Sequence, residues 1–180
     1  MSERPIRLVV TGAAGRMGRR IVALASADPR FEVSAAIEAP GHEALGRDAG
    51  EVAGVGRLGI EIRDALVAGD VLVDFTSAEA SLGHLRWAAE RGHAIVVGST
   101  GMTSEQRREA ESLAARMPTL IAPNMSVGVN VLLSLVEDAL ARLPASFDCE
   151  VVELHHGRKK DAPSGTALAL AEAAAKARGL

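Results

Sequence analysis

The chain has 180 residues, 48% apolar and 24% charged, with a net charge of −3; that suffices for one good core, or for one domain and part of another. The acidic balance leaves no general basic surface for nucleic acid or anionic lipid. Aromatic residues are limited to Phe31, Phe75, Phe147 and Trp87, which argues against a base-stacking platform.

Ile6 to Val10 is a short apolar run ending at Thr11-Gly12 and is predicted to be a buried strand. Arg16 to Ser26 follows as a helix with Met17, Ile21, Leu24 and Ala25 on one face. Phe31 to Ile37 reads as a second strand, entered from the turn pair Asp28-Pro29. Ala39 to Gly59 carries six glycines and little periodicity, so a long loop is expected. Val71 to Phe75 is a third strand, after which Thr76 and Glu79 have capping-box spacing. Ala94 to Val97 is a fourth strand, leaving through Gly98-Ser99-Thr100-Gly101. Thr103 and Gln106 repeat the capping-box spacing, and Leu120 to Ala122 is a short fifth strand ending at Pro123-Asn124.

Apolar strands alternating with helices predict an α/β fold, a Rossmann-like doubly wound parallel sheet covered on both faces. Its ligands are expected beyond the C-terminal ends of the strands. After Ser126 the pattern changes. Val131 to Leu143 reads as an amphipathic helix with Leu132, Leu135, Val136 and Leu140. Asp148 to Leu154 reads as a strand, and Ala167 to Ala177 as an Ala-rich helix. A domain boundary near Ser126 is expected, with a dinucleotide-binding domain at 1–126 and the start of an α+β substrate or oligomerisation domain at 127–180. No internal repeat is visible. The lone Cys149 fits a reducing compartment. The charged residues before Leu8 and the brevity of Leu8-Val9-Val10 leave no signal segment or membrane span. A cytoplasmic protein with no membrane and no nucleic-acid partner is the expectation.

Gly12, Gly15 and Gly18 form GxxGxxG between a strand and a helix. Glycine there permits a tight turn, close approach to a pyrophosphate, and close packing of helix on strand. A tight strand–helix turn without a ligand would use the same residues. Glu38, 20 residues beyond Gly18 at the end of the next strand, is placed to accept from ribose hydroxyls, although an exposed Glu at a loop start is common. Ala39 follows it, so no arginine stands there for a 2′-phosphate, although Arg16 and Arg19 could partly compensate from the loop. NADH is therefore expected to bind better than NADPH or equally well, with NADPH still possible.

His155-His156-Gly157-Arg158-Lys159-Lys160-Asp161-Ala162-Pro163-Ser164-Gly165-Thr166 packs two imidazoles and three cations before a helix start. Such a stretch offers proton donors, positive charge and free N–H groups together, the parts that hold and protonate an anionic substrate. A solvated turn explains the charge run equally simply. The histidine pair has no third ligand at zinc spacing, so no metal is expected.

The segments GAAGRMGRR, VDFTSAEASLGHL, VVGSTGM, APNMSVGVNVL and ELHHGRKKDAPSGTAL span residues 12 to 168. With them the chain resembles the dihydrodipicolinate reductases (4-hydroxy-tetrahydrodipicolinate reductases) of lysine and diaminopimelate synthesis. The resemblance implies an oxidoreductase that reduces a cyclic unsaturated dicarboxylate with NAD(P)H. It implies that Gly12, Ala13, Ala14, Gly15, Arg16 and Met17 hold the pyrophosphate and Glu38 the ribose. Gly98, Ser99 and Thr100, with Ala122, Pro123, Asn124 and Met125, would line the nicotinamide. His155 and Lys159 would be the catalytic pair, with Lys159 the proton donor, and His156, Gly165 and Thr166 would bind substrate carboxylates. A homo-oligomer, a tetramer in the family, is also implied. Family chains run on past residue 180, which implies a partial second domain here and compromised turnover in this form. The competing readings are a related amino-acid dehydrogenase, which has no reason to carry HHGRKKDAPSGT, and a non-catalytic dinucleotide-binding module.

Overall fold

Residues 4–155, 157 and 163–180 are described by a computed structural model. They fall into two units, Met1–Ala122 and Pro123–Leu180.

The first unit is built on one sheet of six parallel strands: β1 (Ile6–Thr11), β2 (Phe31–Ile37), β3 (Ile62–Arg63), β4 (Val71–Asp74), β5 (Ala94–Val97) and β6 (Thr119–Ile121). Their order is β3-β2-β1-β4-β5-β6, with β1 pairing β2 on one side and β4 on the other, all in parallel. The order reverses between β1 and β4, and a crevice opens there above the carboxyl ends of the strands. The sheet is the Rossmann-like one the strand–helix alternation predicts.

Successive residues of a strand point to opposite faces, and β1 divides the core accordingly. Val9 joins Leu72, Ile95 and Val97 under α3 (Ala78–Arg91) and α4 (Ser104–Ala114), with Leu82, Leu85 and Ala110 packed on them. Leu8 and Val10 face the other way with Val33 and Ala36, under α1 (Arg16–Ala27) and α2 (Ala49–Ala53). Each fully buried Val, Leu or Ile contributes about 1.5–3 kcal/mol, so nearly aromatic-free strands still hold a two-faced core.

Several local expectations are corrected. The buried stripe of α1 is Gly18, Val22 and Ala25, whereas Met17 and Leu24 are 48% and 54% exposed. The helix turns its glycine inward because it runs closest to the strand–loop backbone there. The stretch 39–59 is not a featureless loop, and the sheet has six strands rather than five. Asp48 caps α2, and its carboxylate accepts the N–H groups of Gly50, Glu51, Leu58, Gly59 and Ile60 at 2.7–3.1 Å. That knot delivers the chain to β3. A five-residue helix and a two-residue strand are too short to show a hydrophobic period. The cap of α3 is Ser77, which accepts from Ala80 N–H at 3.3 Å, not Thr76; the Thr76 hydroxyl is committed elsewhere, to Asp74. The Thr103–Gln106 capping box is present on α4.

In the second unit, α5 (Val127–Arg142) and α6 (Gly165–Arg178) pack on each other. Ser126 and Ser164 cap them, accepting from Val129 and Ala167 N–H. Lys176 pairs with Glu137 at 3.1 Å, and Arg178 donates to the carbonyls of Leu143 and Phe147. Asp148–Leu154, expected as a strand, is not one. A strand needs a partner's backbone groups, and the described residues of this unit supply none.

Candidate functional site

The crevice at the strand reversal holds a cavity of about 790 Å³. The loop after β1 forms one wall. Gly12 adopts φ +67°, a conformation that favours glycine. A side chain on Gly18 would strike Gly12 O and stand 2.6 Å from Ala13 Cα, so glycine alone lets α1 start this close to the turn. Gly15 N–H closes the turn on Gly12 O at 3.0 Å, and Ala13 N–H donates to Ile37 O at 3.1 Å. The turn from Gly12 to Gly15 carries nothing larger than a methyl and opens a helix, an arrangement that suits an anion.

Glu38, just past the end of β2, lines the cavity beside the loop. Its Oε1 accepts from Ala14 N–H at 2.8 Å, and its Oε2 from its own neighbour Ala39 N–H at 3.2 Å. The carboxylate therefore ties β2 to the glycine loop while lining the cavity. Each oxygen keeps a further lone pair for a ligand hydroxyl. The remaining lining is largely apolar, with Ile37, Ala39, Pro40, Leu66, Ala80 and Trp87, and includes His42, Asp64 and His84.

Of the residues singled out in the sequence, Gly12, Gly15 and Glu38 line this cavity together. Ala13 and Ala14 are in the loop beside them, and Arg16 and Met17 sit exposed in the first turn of α1. Gly98, Ser99 and Thr100 lie after β5, outside the cavity lining. Gly98 N–H donates to Asp74 O at 2.8 Å, and the Phe75 ring lies against it; a side chain there would stand 2.6 Å from Phe75 Cδ1. Ala122 N–H donates to Val97 O at 3.0 Å.

Within the second unit the structure brings two predicted residues together: Asn124 Nδ2 donates to Thr166 Oγ1 at 3.3 Å. Asn124 also accepts from Ser126 N–H through Oδ1, and from Asn130 Nδ2 through its carbonyl. Pro123 and Met125 flank it, and Gly165 opens α6 beside Thr166. His155 Nδ1 lies 3.4 Å from Glu153 Oε2, and Glu153 Oε1 accepts Ser164 N–H at 2.7 Å. His156 and Lys159 lie outside the described residues. Among the described residues no group of three or more His, Cys, Asp or Glu is placed to hold a metal ion, and no helix is long and apolar enough to cross a membrane.

Sequence reasoning missed the polar network at the end of β4. Asp74 is fully buried. Its Oδ1 accepts Thr76 N–H and Thr76 Oγ1–H at 2.9 and 2.7 Å, with Ser99 Oγ at 3.4 Å, and its Oδ2 meets His84 Nδ1 at 2.6 Å. Ser81 Oγ donates to Ser99 Oγ at 2.8 Å. Burial pushes the Asp74 carboxyl up, but the hydrogen bonds from His84 and Thr76 outweigh it and hold the group below its ordinary range. The available signal was an acid closing the apolar run Val71-Leu72-Val73.

Fold and loop together define a class: Rossmann-like α/β proteins whose first βαβ unit carries a glycine turn and an acid at the next strand end. The family follows from comparison with known proteins. The family model "Dihydrodipicolinate reductase, N-terminus" matches residues 6–125, and "Dihydrodipicolinate reductase, C-terminus" matches 128–179. The chain belongs to the dihydrodipicolinate reductase family. It is 51% identical over 178 residues to the 4-hydroxy-tetrahydrodipicolinate reductases of Anaeromyxobacter sp. (strain Fw109-5) and Geobacter metallireducens, covering 97% of this chain and 66% of each relative. The chain thus spans just under two thirds of the length of these curated relatives. A dipicolinate-bound dihydrodipicolinate reductase from Paenisporosarcina sp. TG-14 superposes with a TM-score of 0.73 at 26% identity, over 97% of this chain and 67% of that one. The family is one of pyridine-nucleotide-dependent reductases.

Proposed function

We propose that the protein reduces 4-hydroxy-tetrahydrodipicolinate to tetrahydrodipicolinate in lysine and diaminopimelate biosynthesis, using NADH at least as well as NADPH. The observation that carries this reading is the match to 4-hydroxy-tetrahydrodipicolinate reductases over 97% of the chain, joined to a glycine turn that opens a helix beside the cavity. Residues 1–126 serve as the dinucleotide-binding domain and 127–180 as part of the substrate domain. The family's homo-oligomeric assembly and a cytoplasmic location go with it.

A nicotinamide cofactor, when bound, would supply the hydride; the chain's residues would bind, orient and protonate. Gly12 to Met17 seat the pyrophosphate and Glu38 accepts from the ribose hydroxyls. Gly98, Ser99 and Thr100, with Ala122 to Met125, face the nicotinamide. Gly165 and Thr166, at the start of α6, meet a substrate carboxylate with backbone N–H and hydroxyl groups, aided by His156. Lys159 protonates the conjugated system as negative charge grows on it, with His155 as its partner in the catalytic pair.

Cofactor choice follows from the cavity wall. Glu38 and Asp64 line it, and no Lys or Arg does so among the described residues. A 2′-phosphate beside Glu38 would bring two negative charges into that space with no guanidinium in its lining. Calorimetric titration of both cofactors at one ionic strength tests this. NADH should bind as tightly as NADPH or more so. A clear preference for NADPH removes the role given to Glu38, and absence of any dinucleotide binding removes the function itself.

A further inference from the structure

The dinucleotide reading leaves one buried pair unused, Asp74 and His84. Asp74 closes β4 at the point where the strand order reverses. His84, on α3, lines the cavity, and its side chain is 18% exposed while Asp74 is fully enclosed. An ionised carboxylate has no proton to give, so His84 Nδ1 is the donor across their 2.6 Å contact. In the neutral ring the other nitrogen, Nε2, is then a bare acceptor on the ring edge turned away from Asp74. The cavity that His84 lines has apolar walls at Ala80 and Trp87, on the same helix, and at Leu66 and Pro40, beside the polar His42 and Asp64. A flat heteroaromatic ring suits such walls, and an acceptor at Nε2 favours a ring that carries a donor on the edge it meets.

We propose that Asp74 is a positioning residue that fixes the tautomer of His84, and that His84 Nε2 thereby reads the exocyclic amine of the cofactor's purine. This rests on the proposed reading of the cavity as the adenosine site. It adds a specificity element for adenine over purines with an oxo group at the same carbon. An oxo oxygen would face Nε2 acceptor to acceptor, leaving both without a proton to share.

Asp74→Asn gives a sharp test because the network dictates how the amide must sit. Three donors converge on Oδ1, namely Thr76 N–H, Thr76 Oγ1–H and Ser99 Oγ–H, while Oδ2 meets only His84. The asparagine oxygen takes the Oδ1 place and its NH2 faces His84. Nδ1 must then accept, and the proton moves to Nε2.

Two measurements follow. Nitrogen-15 correlation spectra of the imidazole, recorded without ligand at about pH 8, above the ordinary histidine range, should show His84 protonated on Nδ1 in the native protein and on Nε2 in Asp74→Asn. Calorimetry with NADH and with nicotinamide hypoxanthine dinucleotide (reduced form), which carries oxo for amino, should show the native protein favouring NADH by roughly tenfold or more. In Asp74→Asn the preference should vanish or reverse. His84→Ala, which leaves Asp74 its Thr76 partners, should bind both about equally, and it decides the matter if Asp74→Asn does not fold. A native His84 protonated on Nε2, equal native affinities, or a preference that survives in His84→Ala overturns the inference. Binding of neither dinucleotide overturns it together with the cofactor reading, while the spectra, taken without ligand, still report whether Asp74 sets the tautomer.

Discussion

Gly18→Ala probes the closest approach in the first unit. The new methyl would stand 2.6 Å from Ala13 Cα and 2.7 Å from Gly12 C, against a floor of 3.0 Å for real contacts, and would strike Gly12 O harder still. All of these obstacles are backbone, so no side chain can swing aside. The helix must retreat by at least about 0.4 Å from Ala13, and by more from the carbonyl. Overpacking of this kind costs ~1–3 kcal/mol, and a backbone obstacle belongs at the upper end. Alanine recovers ~1 kcal/mol of helix propensity, leaving a net loss of ~2 kcal/mol. For a chain of this size that lowers Tm by about 4–8 °C. The same retreat pulls the loop N–H groups out of line, so NADH affinity should fall roughly tenfold, the worth of one or two hydrogen bonds. Gly83→Ala is the internal control: it is also helical, but a methyl there meets nothing within 4 Å, so Tm should rise by about 2–4 °C. Thermal unfolding and calorimetry on both variants decide the matter. A Gly18→Ala protein with native Tm and native NADH affinity would refute the claim that this glycine sets the helix–loop distance.

Three further outcomes are expected. Asp48, held by the N–H groups of Leu58, Glu51, Gly59 and Gly50 at a pKa of about 2 against an ordinary carboxylate value near 3.8, favours the folded state above about pH 4 and loses that contribution as pH falls through about 2. The Tm gap between native protein and Asp48→Asn should therefore be widest at neutral pH and close between about pH 4 and 2; a gap independent of pH would show that the carboxylate charge does not hold this loop. Lys159→Ala should lower turnover by roughly a hundredfold or more while leaving NADH affinity unchanged, as read by steady-state kinetics beside calorimetry; near-native turnover removes Lys159 from the mechanism. Leu72→Ala, at a fully buried position between β1 and β5, should cost ~2–5 kcal/mol, and a loss under ~1 kcal/mol in denaturant titration would show that the two-faced core is not packed as described.

The sheet was legible because its signals are local. Val9-Val10 before Gly12, and Leu72-Val73 before Asp74, are apolar runs cut short by turn residues, and such runs fold the same way wherever they occur. The glycine turn was legible for a related reason, since its constraint acts within seven residues. The face of α1 was misread because hydrophobicity outvoted size. Met17 and Leu24 look like core residues, yet the helix lies so close to the turn at Gly18 that the inward stripe must be small. The stretch around Asp48 was illegible for the opposite reason. Its order comes from one carboxylate collecting N–H groups from residues up to 12 positions away, and no periodicity reports that. The Asp74 network gathers side chains from β4, α3 and the loop after β5, three segments whose meeting depends on the sheet order.

The segment Asp148–Leu154 makes the same point from the other side. Its apolar residues alternate with acids except at Val151-Val152, a fair strand pattern, and valine is of a type that strands favour. In the structure Val152 is 84% exposed and Leu154 94%, and the segment forms no ladder. A helix closes its hydrogen bonds within itself, so α5 and α6 need only each other's apolar faces to persist. A strand closes its bonds on another chain segment, so its sequence states a capacity and its neighbours decide whether that capacity is used. The Asn124–Thr166 contact at 3.3 Å draws on no strand at all: a turn residue and the first turn of a capped helix suffice. The order present at α6 therefore rests on its helix end, where Ser164 Oγ accepts Ala167 N–H and the Glu153 carboxylate accepts Ser164 N–H.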